Sequence, residues 1–278
     1  MPSSAFEEGF GLQTPLVTGQ LKTLRYSSYL YTALKLFKEQ LRRGFFAASG
    51  RRETLTPVAL DKLSVATELE DVYSLLQQDA FVILPCQSRG SSGSEYEGTR
   101  LTLVQMPHEG FDFTIRTPST PARWEQFDGE MRANFASMMH LLIEVSSGGG
   151  GGSDSPPPQL LHCCLEVFYF WVVFAPLSRG TAICGYEVMS ALALACGWRF
   201  SRQLPVGKQL DWEAIFSPTV EAFKNNVGGW FEDSLQRCNS LVSAQADLNS
   251  ICTLRAMILA LAKAEPPLTP LKDLKPVS

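Results

Sequence analysis

Two apolar stretches in the second half of the chain, Leu160 to Leu177 (LLHCCLEVFYFWVVFAPL) and Ala182 to Trp198 (AICGYEVMSALALACGW), constrain the fold more than any other feature. Each is at or below the length that spans a hydrocarbon layer, and each carries a glutamate, Glu166 or Glu187, so two buried core helices are expected rather than membrane spans. A lone glutamate on an apolar helix calls for a cationic partner, and Arg179 in the connecting loop (FAPLSRGTA) is the expected one. Pro176 ends the first helix and Gly180 permits a tight turn into the second. The alternative for the same loop is an anion site built from Arg179, Gly180 and the free N–H groups of a helix beginning at Thr181.

The flanking sequence supplies more helices. Leu30, Leu34, Phe37 and Leu41 form an apolar stripe that Arg42, Arg43 and Gly44 close. Thr56-Pro57 reads as a cap and first helical residue of a region reaching Leu76, broken once on the way. Residues 88–98 are turn-formers and read as a loop. The period then changes from 3.6 to 2: TRLTLVQM (99–106) and FDFTIRT (111–117) alternate about Pro107-His108-Glu109-Gly110, a β-hairpin signal. Trp124, Phe127, Met131, Phe135, Met138 and Leu142 mark a long helix after Thr120-Pro121. The run SSGGGGGSDSPPP (146–158) reads as a flexible insertion between helices. Beyond Gly197 come a connector, a short turn of helix DWEAIF, a helix from Ser217-Pro218 to Trp230-Phe231, and a last stripe from Leu248 to Leu261.

Charge and motif content narrow the function. With 24 basic and 28 acidic side chains, a net charge of −4 and no basic run longer than Arg42-Arg43 or Arg51-Arg52, nucleic acid is not an expected partner. Three histidines and no C-x-x-C or H-x-x-x-H leave no basis for a metal site. The pentaglycine lacks the lysine of a phosphate loop, and neither GxGxxG nor GxSxG occurs, so no cofactor is expected. Seven scattered cysteines suggest a reducing compartment, and Cys163, Cys164, Cys184 and Cys196 read as small hydrophobes in a core. The N-terminal MPSSAFEEGF has no features of a signal peptide, which points to cytosol or nucleus.

Two resemblances follow from particular residues. The order hairpin, proline-started helix, apolar helix, P-L-x-x-G loop and small-residue helix resembles the core of the Fic domain, a mostly helical fold that transfers AMP to protein hydroxyls and carries the loop HPFxxGNGR. Here the catalytic histidine's place is taken by Ala175, Pro176 and Gly180 are kept, and the asparagine, second glycine and phosphate-binding arginine become Thr181, Ala182 and Ile183, so the resemblance implies a core without its chemistry. Ser4 to Gly9 repeats that family's inhibitory spacing by coincidence, since the arginine it would meet is absent.

The second resemblance rests on longer strings. EGTRLTLV (97–104), GFDF (110–113), IRTP (115–118), Thr120-Pro121, Arg123-Trp124, PLSRGTA (176–182) and DWEAI (211–215) resemble, in order and from about residue 6 to 232, the region after the repeats in the tetratricopeptide repeat protein 13 family, which includes a plant negative regulator of effector-triggered immunity. No 34-residue repeat is visible in this chain. The expectation is therefore a mainly α fold, a helical bundle with one β-hairpin and a Fic-like core. One domain covers 1–264, with the hairpin at 99–117 and the insertion at 146–158, followed by a proline-rich mobile tail at 265–278. Its function is expected to be non-catalytic protein binding, regulatory in immune or stress signalling, with partners docking on the hairpin through Arg100, Phe111, Phe113 and Arg116. The alternative is a divergent Fic-like nucleotidyl- or phosphoryl-transferase, or a nucleotide-binding domain, using Arg179 and the helix start at Thr181.

Overall fold

A computed structural model describes residues 13–89, 95–108, 110–117, 121–146, 155–177, 179–231 and 233–238. All its elements lie in one compact unit, Met1–Arg237, and the second unit, Cys238–Ser278, contributes only Cys238 to the described residues. The expected stripe at 248–261, the tail at 265–278 and most of the insertion at 146–158 lie outside the described residues.

The order of elements is β1 (Gln13–Gly19), β2 (Leu21–Lys22), a 3-10 turn (Leu24–Tyr26), α1 (Ser27–Arg43), β3 (Phe45–Ala47), β4 (Arg52–Glu53), α2 (Pro57–Val65), α3 (Leu69–Leu76), β5 (Ala80–Gln87), β6 (Glu95–Gln105), β7 (Phe111–Arg116), α4 (Pro121–Ser146), α5 (Pro158–Phe174), α6 (Thr181–Ala195), β8 (Trp198–Phe200), α7 (Leu210–Phe216), α8 (Val220–Phe231) and β9 (Leu235–Arg237). Strands β1 to β7 make one antiparallel sheet in the order β2-β1-β7-β6-β5-β3-β4, and β8 pairs with β9.

This sheet corrects the expectation of a mainly α bundle with one hairpin. The hairpin is present, but as the centre of a seven-stranded sheet, with β1 on its β7 side and β5 on its β6 side. The other strands give little alternation in sequence. The run AFVIL that opens β5 is buried along most of its length, β1 is interrupted by Pro15, and β3 and β4 are three and two residues long. The Fic-like core falls for the same reason, because the hairpin is not a flap standing beside a helical bundle. Of the loop expected at 88–98, Glu95 to Gly98 belong to β6.

Register puts Val82 opposite Leu101, Leu101 opposite Ile115 and Leu103 opposite Phe113, so these side chains share one face. Helices cover that face: Phe37 of α1 meets Phe113 edge-on at 5.4 Å, Tyr73 of α3 meets Phe111 at 4.9 Å, and Phe174 of α5 meets Tyr96 at 5.7 Å. On the opposite face Phe46 stacks on Phe81, the Arg100 guanidinium lies 4.8 Å above the Phe81 ring, and the Thr102 and Thr114 hydroxyls hydrogen-bond across the strands.

The helices follow their sequence signals closely. Gly44 closes α1, and the Thr56 hydroxyl accepts from Ala59 N–H at 3.3 Å to cap α2. Helices α5 and α6 approach closely because Gly185 has no Cβ, which would sit 2.7 Å from Trp171 Cδ1; the Trp171 indole N–H in turn donates to Thr181 O at 3.0 Å.

Candidate functional site

The loop between α5 and α6 does not bring together the groups expected of it. Arg179 and Glu187 are both exposed, the latter because α6 packs through Thr181, Gly185, Met189 and Ala193. Glu166 is paired, but with Arg89 Nη2 at 2.7 Å and Lys224 Nζ at 2.8 Å, cations from the end of β5 and from α8. A partner for this glutamate follows from chemistry, whereas its identity depends on a tertiary approach invisible in local sequence. Gly180 takes the left-handed conformation (φ 73°) as N-cap of α6, Thr181 Oγ1 donates to Leu177 O at 2.8 Å, and Pro176 is half-buried. Ala175 is buried at the left-handed end of α5. Arg179→Ala is therefore expected to change unfolding free energy by less than about 0.5 kcal/mol in equilibrium urea unfolding. A loss of several kcal/mol would show that Arg179 holds a buried charge after all.

Arg89 also joins a second buried carboxylate. Its backbone N–H points to Glu130 Oε1 at 3.3 Å, and the Tyr96 hydroxyl donates to the same oxygen at 3.0 Å. Burial and Glu130 together raise the Tyr96 phenol above its ordinary value. The cluster thus ties the β5–β6 end of the sheet to α4, α5 and α8.

The hairpin residues expected to meet a partner are mostly inside. Phe111 and Phe113 are core, Arg100 is buried and paired with Glu97 at 2.6 Å, and Arg116, half-buried, donates through Nε to Thr114 Oγ1 at 3.2 Å. The strings on which the second resemblance was read supply structural clamps. Gly98 lies where the β5–β6 register slips, and a Cβ there would be 2.1 Å from Leu84 O. Arg123 is buried and donates to the Glu97, Gly98 and Val173 carbonyls while lying over the Phe174 ring. Burial lowers its pKa to about 10, with Glu97 opposing the shift, so it is charged at neutral pH.

Asp211–Ile215 forms most of α7, whose Trp212 is fully buried, stacked on Tyr29 at 5.4 Å and packed on Tyr26 and Phe216. The Tyr29 hydroxyl accepts from Gln209 N–H at 2.8 Å and donates toward Glu213 Oε1 at 3.1 Å. Burial, opposed by the Gln209 bond, pushes the phenol up to about 12. The folded state holds this proton more tightly than the unfolded chain, so the stabilisation is full below pH 10 and is lost as pH rises through about 12. The stability gap between wild type and Tyr29→Phe should therefore shrink between pH 10 and 12 in urea unfolding; a gap that is constant with pH would contradict this placement.

One surface has the form of a binding site, and sequence reading missed it. On β5, strand β3 pairs with Ala80 and Phe81, and among the described residues no strand pairs with the outer edge of β5 beyond them, which runs along a groove of about 580 Å³. Ile83 and Pro85 line its floor, Gln40, Arg43 and Arg52 one wall, and Glu95 the other. Gln87 N–H turns outward to Pro218 O at 3.1 Å, so Ile83, in phase with it on the pleat, also turns its N–H and C=O outward. Pro85 has no N–H to offer and limits the open edge to a short stretch. Among the described residues no group of three or more His, Cys, Asp or Glu is placed to hold a metal ion, and no helix is long and apolar enough to cross a membrane.

Over 264 residues, 94% of its length, the chain is 33% identical to Suppressor of RPS4-RLD 1 of Arabidopsis thaliana, and over 237 residues, 83% of its length, it is 24% identical to Tetratricopeptide repeat protein 13 of Homo sapiens. Both matches support the resemblance to the tetratricopeptide repeat protein 13 family. It matches 25% and 27% of these relatives, so it spans about a quarter of the length of the curated family members. No protein-family model and no solved structure matches it. The matched portion of the family thus folds here as a helix-covered antiparallel sheet.

Proposed function

We propose that this chain is a non-catalytic protein-interaction domain of a regulatory protein that works in the cytosol or nucleus, and that it receives an extended segment of a partner in the groove beside β5. The observation that carries this reading is the open stretch of strand edge at Ile83, with outward backbone groups and a walled groove of about 580 Å³ beside it. An unpaired edge is a template for backbone pairing, and side-chain contacts along the walls supply selectivity. Kinship with proteins named for tetratricopeptide repeats and for suppression of RPS4-RLD supports a regulatory setting, with immune or stress signalling the context proposed for plant members. The hairpin is the weaker candidate surface, because Phe113 is spent on Phe37 and both of its long edges are paired.

The test is affinity purification from cell extract with the full wild-type chain and with Ile83→Trp, which fills the groove floor without touching the core on the helical face. Proteins retained by wild type are expected to fall at least tenfold with the variant, while circular dichroism stays unchanged. Equal recovery by both chains would remove the groove from the account.

A further inference from the structure

Building on that interaction reading, we propose that the groove selects an acidic segment, whose carboxylates lie against Arg43 and Arg52. The sequence holds two basic doublets, Arg42-Arg43 and Arg51-Arg52, too far apart to form a patch on their own. The β3–β4 turn folds the second back on the first, pairing Phe45 with Glu53 and Phe46 with Arg52, and Arg52 Nη2 donates to Arg43 O at 3.3 Å. Gly44 makes room for this: a Cβ there would lie 3.2 Å from Arg52 Nε, and its φ of 121° is one that L side chains rarely adopt. Both arginines line the groove. Among the described residues the Arg43 side chain pairs with Glu39 alone, an exposed i,i+4 pair at 3.1 Å, and such pairs exchange readily for a better carboxylate. Planar guanidiniums bind carboxylates bidentately, which favours them as readers of an acidic segment.

The opposite wall argues for a peptide over a nucleic acid. Glu97 is occupied by Arg100 at 2.6 Å, but Glu95 is exposed on the groove, where a phosphate backbone would be repelled. The groove is therefore basic at its α1–β4 end and acidic at Glu95, with the partner's acidic residues at the α1–β4 end. Backbone pairing is confined to the neighbourhood of Ile83, so charge contributes a large share of the selection.

Fluorescein-labelled decapeptides that alternate valine with aspartate, lysine or serine test this by anisotropy against the full wild-type chain, the Arg43→Ala/Arg52→Ala double variant and Ile83→Trp. The aspartate peptide is expected to bind at least tenfold more tightly than the serine peptide, to lose that advantage in the double variant and at 0.5 M salt, and to lose binding in Ile83→Trp. Equal affinity for the aspartate and serine peptides, abolished by Ile83→Trp, would overturn acidic selection and leave the interaction reading intact. No peptide binding, together with partner capture that still depends on Ile83, would overturn acidic selection alone. Binding or capture insensitive to Ile83→Trp would overturn both, and displacement of the aspartate peptide by lower concentrations of oligo(dT) would reassign the arginines to nucleic acid. The salt dependence of the wild type keeps the test decisive if the double variant folds poorly.

Discussion

Replacing Arg123 with alanine is expected to lower the free energy of unfolding by about 3–5 kcal/mol, because three backbone carbonyls lose a charged donor in a buried setting. Its guanidinium donates to the Glu97 and Gly98 carbonyls of β6 and to Val173 O in the last turn of α5, so one side chain joins the sheet to a helix end. The α5 C-terminus carries the negative end of the helix dipole, which favours a cation there. Removal leaves buried carbonyls without these donors and opens space beneath Phe174, and each unsatisfied polar group adds a cost of about 1–3 kcal/mol. Arg123→Lys keeps the charge but loses the fork that reaches several carbonyls at once, so it should recover only part of the loss. Urea unfolding followed by circular dichroism reads both variants. A near-neutral Arg123→Ala would mean that the clamp is dispensable.

The second large effect is expected at Trp212, where alanine should cost about 3–5 kcal/mol, as for buried aromatic side chains elsewhere. Trp212 has 1% of its surface exposed and joins Tyr26, Tyr29 and Phe216 in one aromatic group that fastens α7 to α1. Its loss frees Tyr29 to move, and with it the bond to Gln209 that holds the end of the preceding connector. Slowed tryptic cleavage within residues 201–209 would contradict the expectation, because loosening the connector must expose it.

Arg123 and Trp212 illustrate what sequence could and could not disclose. Both stand in strings that carry the family resemblance, yet nothing local distinguishes a reader of a ligand from a clamp. Arg123 bonds residues 25 to 50 positions away, and only the folded approach of β6 to the end of α5 makes it structural. Helices were legible because their signals are local: the stripe Leu30-Leu34-Phe37-Leu41 with Gly44, the Thr56 cap, and the Thr120-Pro121 start of α4. The sheet was legible only at β6 and β7, where each strand alternates. In β5 the run AFVIL is apolar on both sides, and the periodicity signal vanishes when both faces are buried.

The groove was illegible for a related reason. Its floor belongs to β5 and its basic wall to two doublets separated in sequence, so it comes into being only when β3 and β4 fold back beside α1. The polar cluster at Glu166 follows the same rule: an acid inside LLHCCLEVFYFWVVF demands a cation, and the fold answers with Arg89 and Lys224, 77 and 58 positions away, in place of nearby Arg179.

Site-specific photo-crosslinking tests the central claim most directly. A benzophenone amino acid replaces Gln87, in the groove, or Val206, fully exposed in the loop before α7. The full chain is then irradiated in cell extract and resolved by mass. Discrete adducts from the Gln87 position, lost on adding Ile83→Trp, with none from the Val206 position, are the predicted result. Adducts at Val206 with none at Gln87, or adducts at Gln87 that persist when Ile83→Trp fills the groove, would contradict the account.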